Sequence, residues 1–187
     1  MFDTQEIGLG SFEVVSGKLV ISDPCYDRGI WCVGTLDNVR NGEWNAKADY
    51  VEVEDWGRRV AKLTAWHQDC PGDSSLTGRG TLFEVGVDSG QAGIFDDRYY
   101  QDGTVLSLPT TYAAEDARAA WYSHCCEITL ARLQAGVLPY GVVSSSGFGD
   151  SGYDCVQYLT DNGEVVKVEI VFITEDELAE YKNGEEV

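Results

Sequence analysis

The sequence predicts a strand-rich single α+β domain spanning residues 1–187, a twisted antiparallel sheet packed by one long helix plus a short C-terminal helix. Three observations predict it. Short alternating or β-branched runs recur between turn signals along most of the chain. One later segment carries apolar residues at helical spacing, and a capping-box pattern opens a second helix near the C-terminus. A chain of 187 residues suits one domain, and no internal repeat, low-complexity tract or linker interrupts it.

The elements follow in order. Residues 11–22 read as two short β runs around Ser16-Gly17, closed by an Asp23-Pro24 turn. Ile30 to Val39 and Glu43 to Val53 flank Asn41-Gly42, the strongest short hairpin signal in the chain, and Asp55-Trp56-Gly57 turns into a strand from Arg59 to Trp66. Together they predict an antiparallel meander. Cys70 to Gly80 is dense in turn residues and reads as a binding-sized loop; Thr81 to Val87 returns to β alternation. Ala117, Trp121, Cys125 and Ile128 predict the main helix over Ala114 to Ala135, with Gly136 as its C-terminal cap. Tyr140 to Ser144, Tyr153 to Leu159 and Glu164 to Ile173 are three more strands, the last two joined across Asp161-Asn162-Gly163. Thr174 and Glu177 form the capping box, with acidic residues well placed against the helix dipole.

Hydrophobic residues make up 43% of the chain and aromatics 11%, with four Pro, which excludes a disordered or collagen-like chain. No run approaches the ~20 apolar residues of a membrane span, and the first residues lack the regions of a signal peptide, so a cytoplasmic protein with no membrane partner is expected. Charge is the strongest compositional fact: 13 Lys plus Arg against 32 Asp plus Glu give a formal −19. Such a chain repels a polyanion, so direct nucleic-acid binding is not expected; Arg58-Arg59 is the one adjacent basic pair. The same surface can imitate a phosphate backbone and occupy a basic groove on another protein. The six Cys read as mostly reduced thiols, and of adjacent Cys125 and Cys126 one faces the core.

Three enzyme-like constellations fail on spacing or surroundings. Leu63 to His67 and Gly149 to Gly152 echo the histidine and serine signatures of chymotrypsin-type proteases, but too few residues separate His67 from Ser151 for two β-barrels. His67, Cys70, His124, Cys25 and Cys32 offer metal-ligand atoms without a C-x-x-C pair, and Asp150 with Asp154 lacks the pattern of a calcium loop, so neither metal nor cofactor is expected. Cys25 sits in a fixed Asp-Pro turn, yet its neighbourhood is acidic and holds no cation to make a thiolate.

Two Gly-rich segments remain, Val87 to Asp96 and Ser145 to Tyr153. They bring Asp88, Ser89, Gln91, Asp96, Ser146, Asp150 and Tyr153, whose short polar groups suit either a small polar ligand or local turn bonding. With Gly17 to Pro24, these segments resemble the domain-of-unknown-function 4241 family of bacteria and phages. Ser151 interrupts the Gly-Phe-Gly-Asp-Gly form of the family's third motif. The resemblance implies a strand-rich single domain and an origin in a phage or other mobile element, with no activity to carry over.

The favoured function is a non-enzymatic acidic interaction protein of the phage-inhibitor type, blocking a basic nucleic-acid-binding site on a protein partner. Its candidate contacts are Glu43, Asp49, Glu52, Glu54 and Asp55 on the second hairpin, or Glu175, Asp176, Glu177 and Glu180, continuing to Glu185 and Glu186, at the C-terminus. The alternatives are a small-ligand module or hydrolase with Asp88 or Asp150 as base, and an immunity or assembly component packing through aromatic residues.

Overall fold

Eleven strands and two α-helices order the chain in a computed structural model that describes residues 4–54, 56–70, 72, 76–106 and 116–182, at 77–82 and 182 as backbone alone. The strands divide into two antiparallel sheets rather than one. The first has the order β1-β4-β5-β11-β10-β6, built from β1 (Gln5–Val14), β4 (Gly42–Val53), β5 (Gly57–His67), β11 (Val165–Val171), β10 (Ser151–Leu159) and β6 (Thr77–Val87). The second has the order β3-β2-β7-β9-β8, built from β3 (Gly34–Leu36), β2 (Leu19–Ser22), β7 (Gln91–Asp96), β9 (Gly141–Ser145) and β8 (Ala135–Leu138). The α+β class is as the sequence predicts.

The second sheet is the middle of three layers. Its Leu19, Ile21, Ile94 and Val142 pack with Trp44, Val60, Leu63, Val168 and Ile170 of the first sheet. Its Val20, Phe95 and Val143 face α1 (Ala117–Leu130), meeting Trp121, Cys125 and Tyr100. Hence β2 and β7 are buried at every position. Each fully buried Leu, Ile or Phe contributes roughly 1.5–3 kcal/mol, and placing a strand between two apolar layers uses both of its faces. Glycine makes room in that layer: a Cβ on Gly93 or Gly141 would enter the Phe95 ring.

Three expectations need correction. Asn41-Gly42 is not a hairpin, because β3 and β4 lie in different sheets. The chain instead crosses between sheets there, with Val39 bridging Val165, Arg40 N–H donating to the Val165 carbonyl at 3.0 Å, and Asn41 Oδ1 accepting from Gly17 N–H at 2.7 Å. The Gly-rich segment from Val87 contains a buried central strand, β7. The main helix ends at Leu130, and Gly136 belongs to β8, where a Cβ would come within 3.0 Å of Ile128, instead of capping the helix. The start of the expected helix at Ala114 lies outside the described residues; Asp116 is the N-cap, accepting from Arg118 and Ala119 N–H.

Other local signals hold. Trp56 N–H closes the β4–β5 turn onto the Val53 carbonyl, and β10 and β11 pair across residues 161–163. In α2 (Glu175–Lys182) the capping box is complete: Glu177 Oε2 accepts from Thr174 N–H at 2.7 Å, and Thr174 Oγ1 accepts from Glu177 N–H at 3.2 Å.

Candidate functional site

The polar heart of the molecule is Asp23, which directly follows β2 and is fully buried. Its Oδ2 accepts from the backbone N–H of Asp88 (2.9 Å) and Ser89 (2.7 Å), and its Oδ1 from Ser89 Oγ (2.6 Å) and Cys25 N–H (2.8 Å). One carboxylate thus ties the end of β2 to the β6–β7 turn. A buried charge is tolerable when its lone pairs are taken by donors. The sequence signals this residue only as an Asp-Pro turn; its buried role comes from the strand before it being covered on both faces.

Around Asp23 gather Cys25, Tyr26, Tyr100 and Tyr122. Tyr100 OH donates to the Tyr26 carbonyl at 2.7 Å, and Gln101 Nε2 donates to the same oxygen at 2.9 Å. Burial, then the hydrogen bond and charge of Asp23, push the Cys25 thiol up to about 12. That removes the thiolate a nucleophile needs. Burial likewise raises the Tyr122 phenol, whose hydroxyl neighbours Ser89 and Cys126. Beside this group opens a cleft of about 320 Å³ lined by Pro24, Cys25, Asp116, Arg118, Ala119 and Tyr122. Arg118 spans its rim, with Nη1 2.5 Å from Asp27 Oδ1 and Nη2 donating to the Cys25 carbonyl at 3.4 Å.

The two Gly-rich segments do meet, but they bond to each other. Gly90 N–H donates to Asp150 Oδ1 at 3.0 Å and the Gly90 carbonyl accepts from Ser146 N–H at 3.1 Å. Of the expected ligand residues, Asp88 and Asp150 are exposed at this junction. Gln91, Asp96, Ser146 and Tyr153 are buried and hydrogen-bonded within the fold. Asp96 Oδ2 accepts from Val15 N–H (2.7 Å), Ser16 N–H (2.8 Å) and Ser16 Oγ (2.9 Å). Gln91 bonds Cys126 Sγ and Thr129 Oγ1 on α1. Tyr153 OH reaches the carbonyls of Ser146 (2.9 Å) and Gly149 (2.7 Å), and Ser146 Oγ donates to the Gly149 carbonyl.

The acidic candidates also separate. Asp49 is buried and pairs with Lys62 at 3.2 Å, so it presents no surface charge. Glu43, Glu52 and Glu54 are exposed, but Glu52 stands opposite Arg58 in the β4–β5 register; Asp55, Glu185 and Glu186 lie outside the described residues. Glu175, Asp176 and Glu180 are exposed on α2, whereas Glu177 is taken by the cap. A cluster that sequence reasoning missed lies on the β6–β10 pair. Glu84 and Asp154 are directly opposite one another and both exposed. Asp88 and Asp150 flank the paired ends, the first with its side chain hydrogen-bonded to Tyr26 and the second accepting from Gly90 N–H. Between them are Gly86 and Gly152, and the Glu84 carboxylate lies where a Cβ on Gly152 would sit. Among the described residues neither Glu84 nor Asp154 has an ion-pair partner. The register of two distant strands was needed to see this.

The described cysteines are free thiols, Cys125 buried in the helix–sheet core and Cys126 half-buried. His67 is buried; its Nε2–H donates to the Asn41 carbonyl at 3.1 Å and its Nδ1 accepts from Asp69 N–H, the pattern of a neutral ring in a structural role. Among the described residues no group of three or more His, Cys, Asp or Glu is arranged to hold a metal, and no helix is long and apolar enough to cross a membrane. Comparison of the chain with protein-family models, curated proteins and solved structures gives no match.

Proposed function

We propose that the chain is a non-enzymatic acidic interaction protein that docks on the basic, nucleic-acid-binding surface of a protein partner. The observation that carries this reading is the Glu84–Asp154 pair with Asp88 and Asp150 beside it. Like charges directly opposite across strands cost stability. With no cation paired to them among the described residues, they cost the fold stability and suit a surface that meets positive charge.

The disposition of the cations supports the same reading. Lys18, Arg28, Arg40, Lys47, Lys62, Arg118 and Lys167 each have a carboxylate partner within the chain. Apart from the buried Asp23 and Asp96 and the half-buried Glu177, the unpaired carboxylates described above are exposed, where they steer a basic partner and repel nucleic acid.

The test is an affinity pull-down of the protein from host lysate, eluted with a salt gradient and repeated with charge reversals at the β6–β10 cluster and, separately, at Glu175, Asp176 and Glu180. Elution of a basic nucleic-acid-binding protein near a few hundred millimolar salt, lost on reversal at β6–β10, supports the reading. Binding that survives both reversals contradicts it.

The cleft beside Cys25 favours a second reading, a small polar ligand module. Metabolite screening by thermal stabilisation tests it: Asp88→Asn, which changes an exposed neighbour of Ser89, should weaken stabilisation while leaving the fold intact.

A further inference from the structure

Among the described residues the half-buried Arg58, like its neighbour Arg59, has no acidic partner, and it alone leaves two guanidinium nitrogens unmet. Its guanidinium stacks on the Tyr50 ring, 3.9 Å from guanidinium carbon to ring centroid. Tyr50 is itself buried and fixed by its hydroxyl, which donates to the Leu133 carbonyl at 2.6 Å. The Nε and Nη2 atoms, which form one edge of the guanidinium fork, are shielded from solvent and have no hydrogen-bond partner among the described residues. Arg40 shows what that edge does elsewhere in this chain: its Nε and Nη2 both reach Glu164 Oε2, at 3.2 and 2.5 Å. Beside Arg58 opens a cavity of about 430 Å³ lined by Thr4, Gln5, Tyr50, Val51, Glu52 and Arg58.

Two shielded donors on a cation lose their hydration without a return unless an acceptor is supplied, a cost of about 1–3 kcal/mol for each unmet group. Glu52 is the cross-strand neighbour of Arg58, yet the two make no ion pair or hydrogen bond among the described residues. The cavity is of the size that admits a small molecule. The geometry points to an oxyanion site: the Nε and Nη2 edge of Arg58 receives the carboxylate or phosphate group of a small ligand in two parallel hydrogen bonds, on a platform set by Tyr50. The stacked ring holds the fork flat, and Thr4 and Gln5 supply polar groups at the mouth.

The test follows the Arg58 Nε–H resonance of the full chain by NMR during titration with sodium acetate or sodium phosphate, against sodium chloride at equal ionic strength. The expected result is a saturating shift at Arg58 with at least one probe, with an affinity of about millimolar, and no such shift at Arg40, whose edge Glu164 already fills. Saturation by acetate alone assigns a carboxylate ligand and by phosphate alone a phosphate ligand. Arg58→Lys keeps the charge but not the fork, and should abolish the accompanying shift of the Tyr50 ring. A change that is linear or matches chloride overturns the proposal. So does a Glu52→Gln variant in which the anion-free Arg58 resonance moves as far as the probes move it, since Glu52 then fills the fork. If Arg58→Lys fails to fold, the wild-type titration and Glu52→Gln still decide.

Discussion

Asp23 and Asp96 are fully buried carboxylates at the two ends of β2, each saturated by backbone and hydroxyl donors from a distant turn. Asp23→Asn keeps the volume but replaces a charged double acceptor with an amide that can accept on one atom only. Urea unfolding should show a loss of about 2–3 kcal/mol. A loss under about 1 kcal/mol would mean that the β6–β7 turn is held by other contacts. The weak acids of the interior give a second prediction. Burial pushes the Cys25 and Cys155 thiols up to about 12 from an ordinary 9.0, and the Tyr153 phenol up to about 12 from 10.0. The unfolded chain releases these protons first, so the folded state binds more protons between the two values and stability falls as pH rises. The urea midpoint should hold up to about pH 9 and decline toward pH 12, more shallowly in Cys155→Ala. A midpoint independent of pH across that window would contradict the burial of these groups.

Gly34 in β3 shows how single positions set the packing of whole elements. The Phe83 ring of β6 occupies the space where a Cβ on Gly34 would stand. Gly34→Ala should cost about 1–3 kcal/mol, and Phe83→Leu in the same chain should recover part of it; an additive double mutant would mean the two strands do not touch there. Thr174→Ala should cost about 1 kcal/mol by opening the α2 cap. That cap was legible in the sequence, as were the β4–β5 and β10–β11 turns, because each depends on local residues alone. The strand β7 was not, since burial of both faces removes the alternation that marks a strand, and Gly93 looks like turn chemistry until Phe95 is seen folded over it. Asn41-Gly42 misled for a related reason. The dipeptide makes a sharp corner, but which strands that corner joins is set by Val165, more than a hundred residues away.

At the scale of the molecule, composition announced an acidic surface but not its arrangement. Asp49 turned inward to Lys62, and the Glu84–Asp154 pair arose from the pairing of β6 with β10, which nothing in either segment encodes locally. On the proposed function this pair is kept for binding at a cost to the fold, and Glu84→Lys separates the two effects because it places an opposite charge facing Asp154. The decisive measurement is the stability of Glu84→Lys by urea unfolding alongside its affinity for the captured basic partner at fixed salt. Opposite signs are expected: stability higher by about 0.2–1 kcal/mol and affinity lower by about tenfold or more. Unchanged affinity with increased stability would contradict it, leaving the acidic pair without a role in binding.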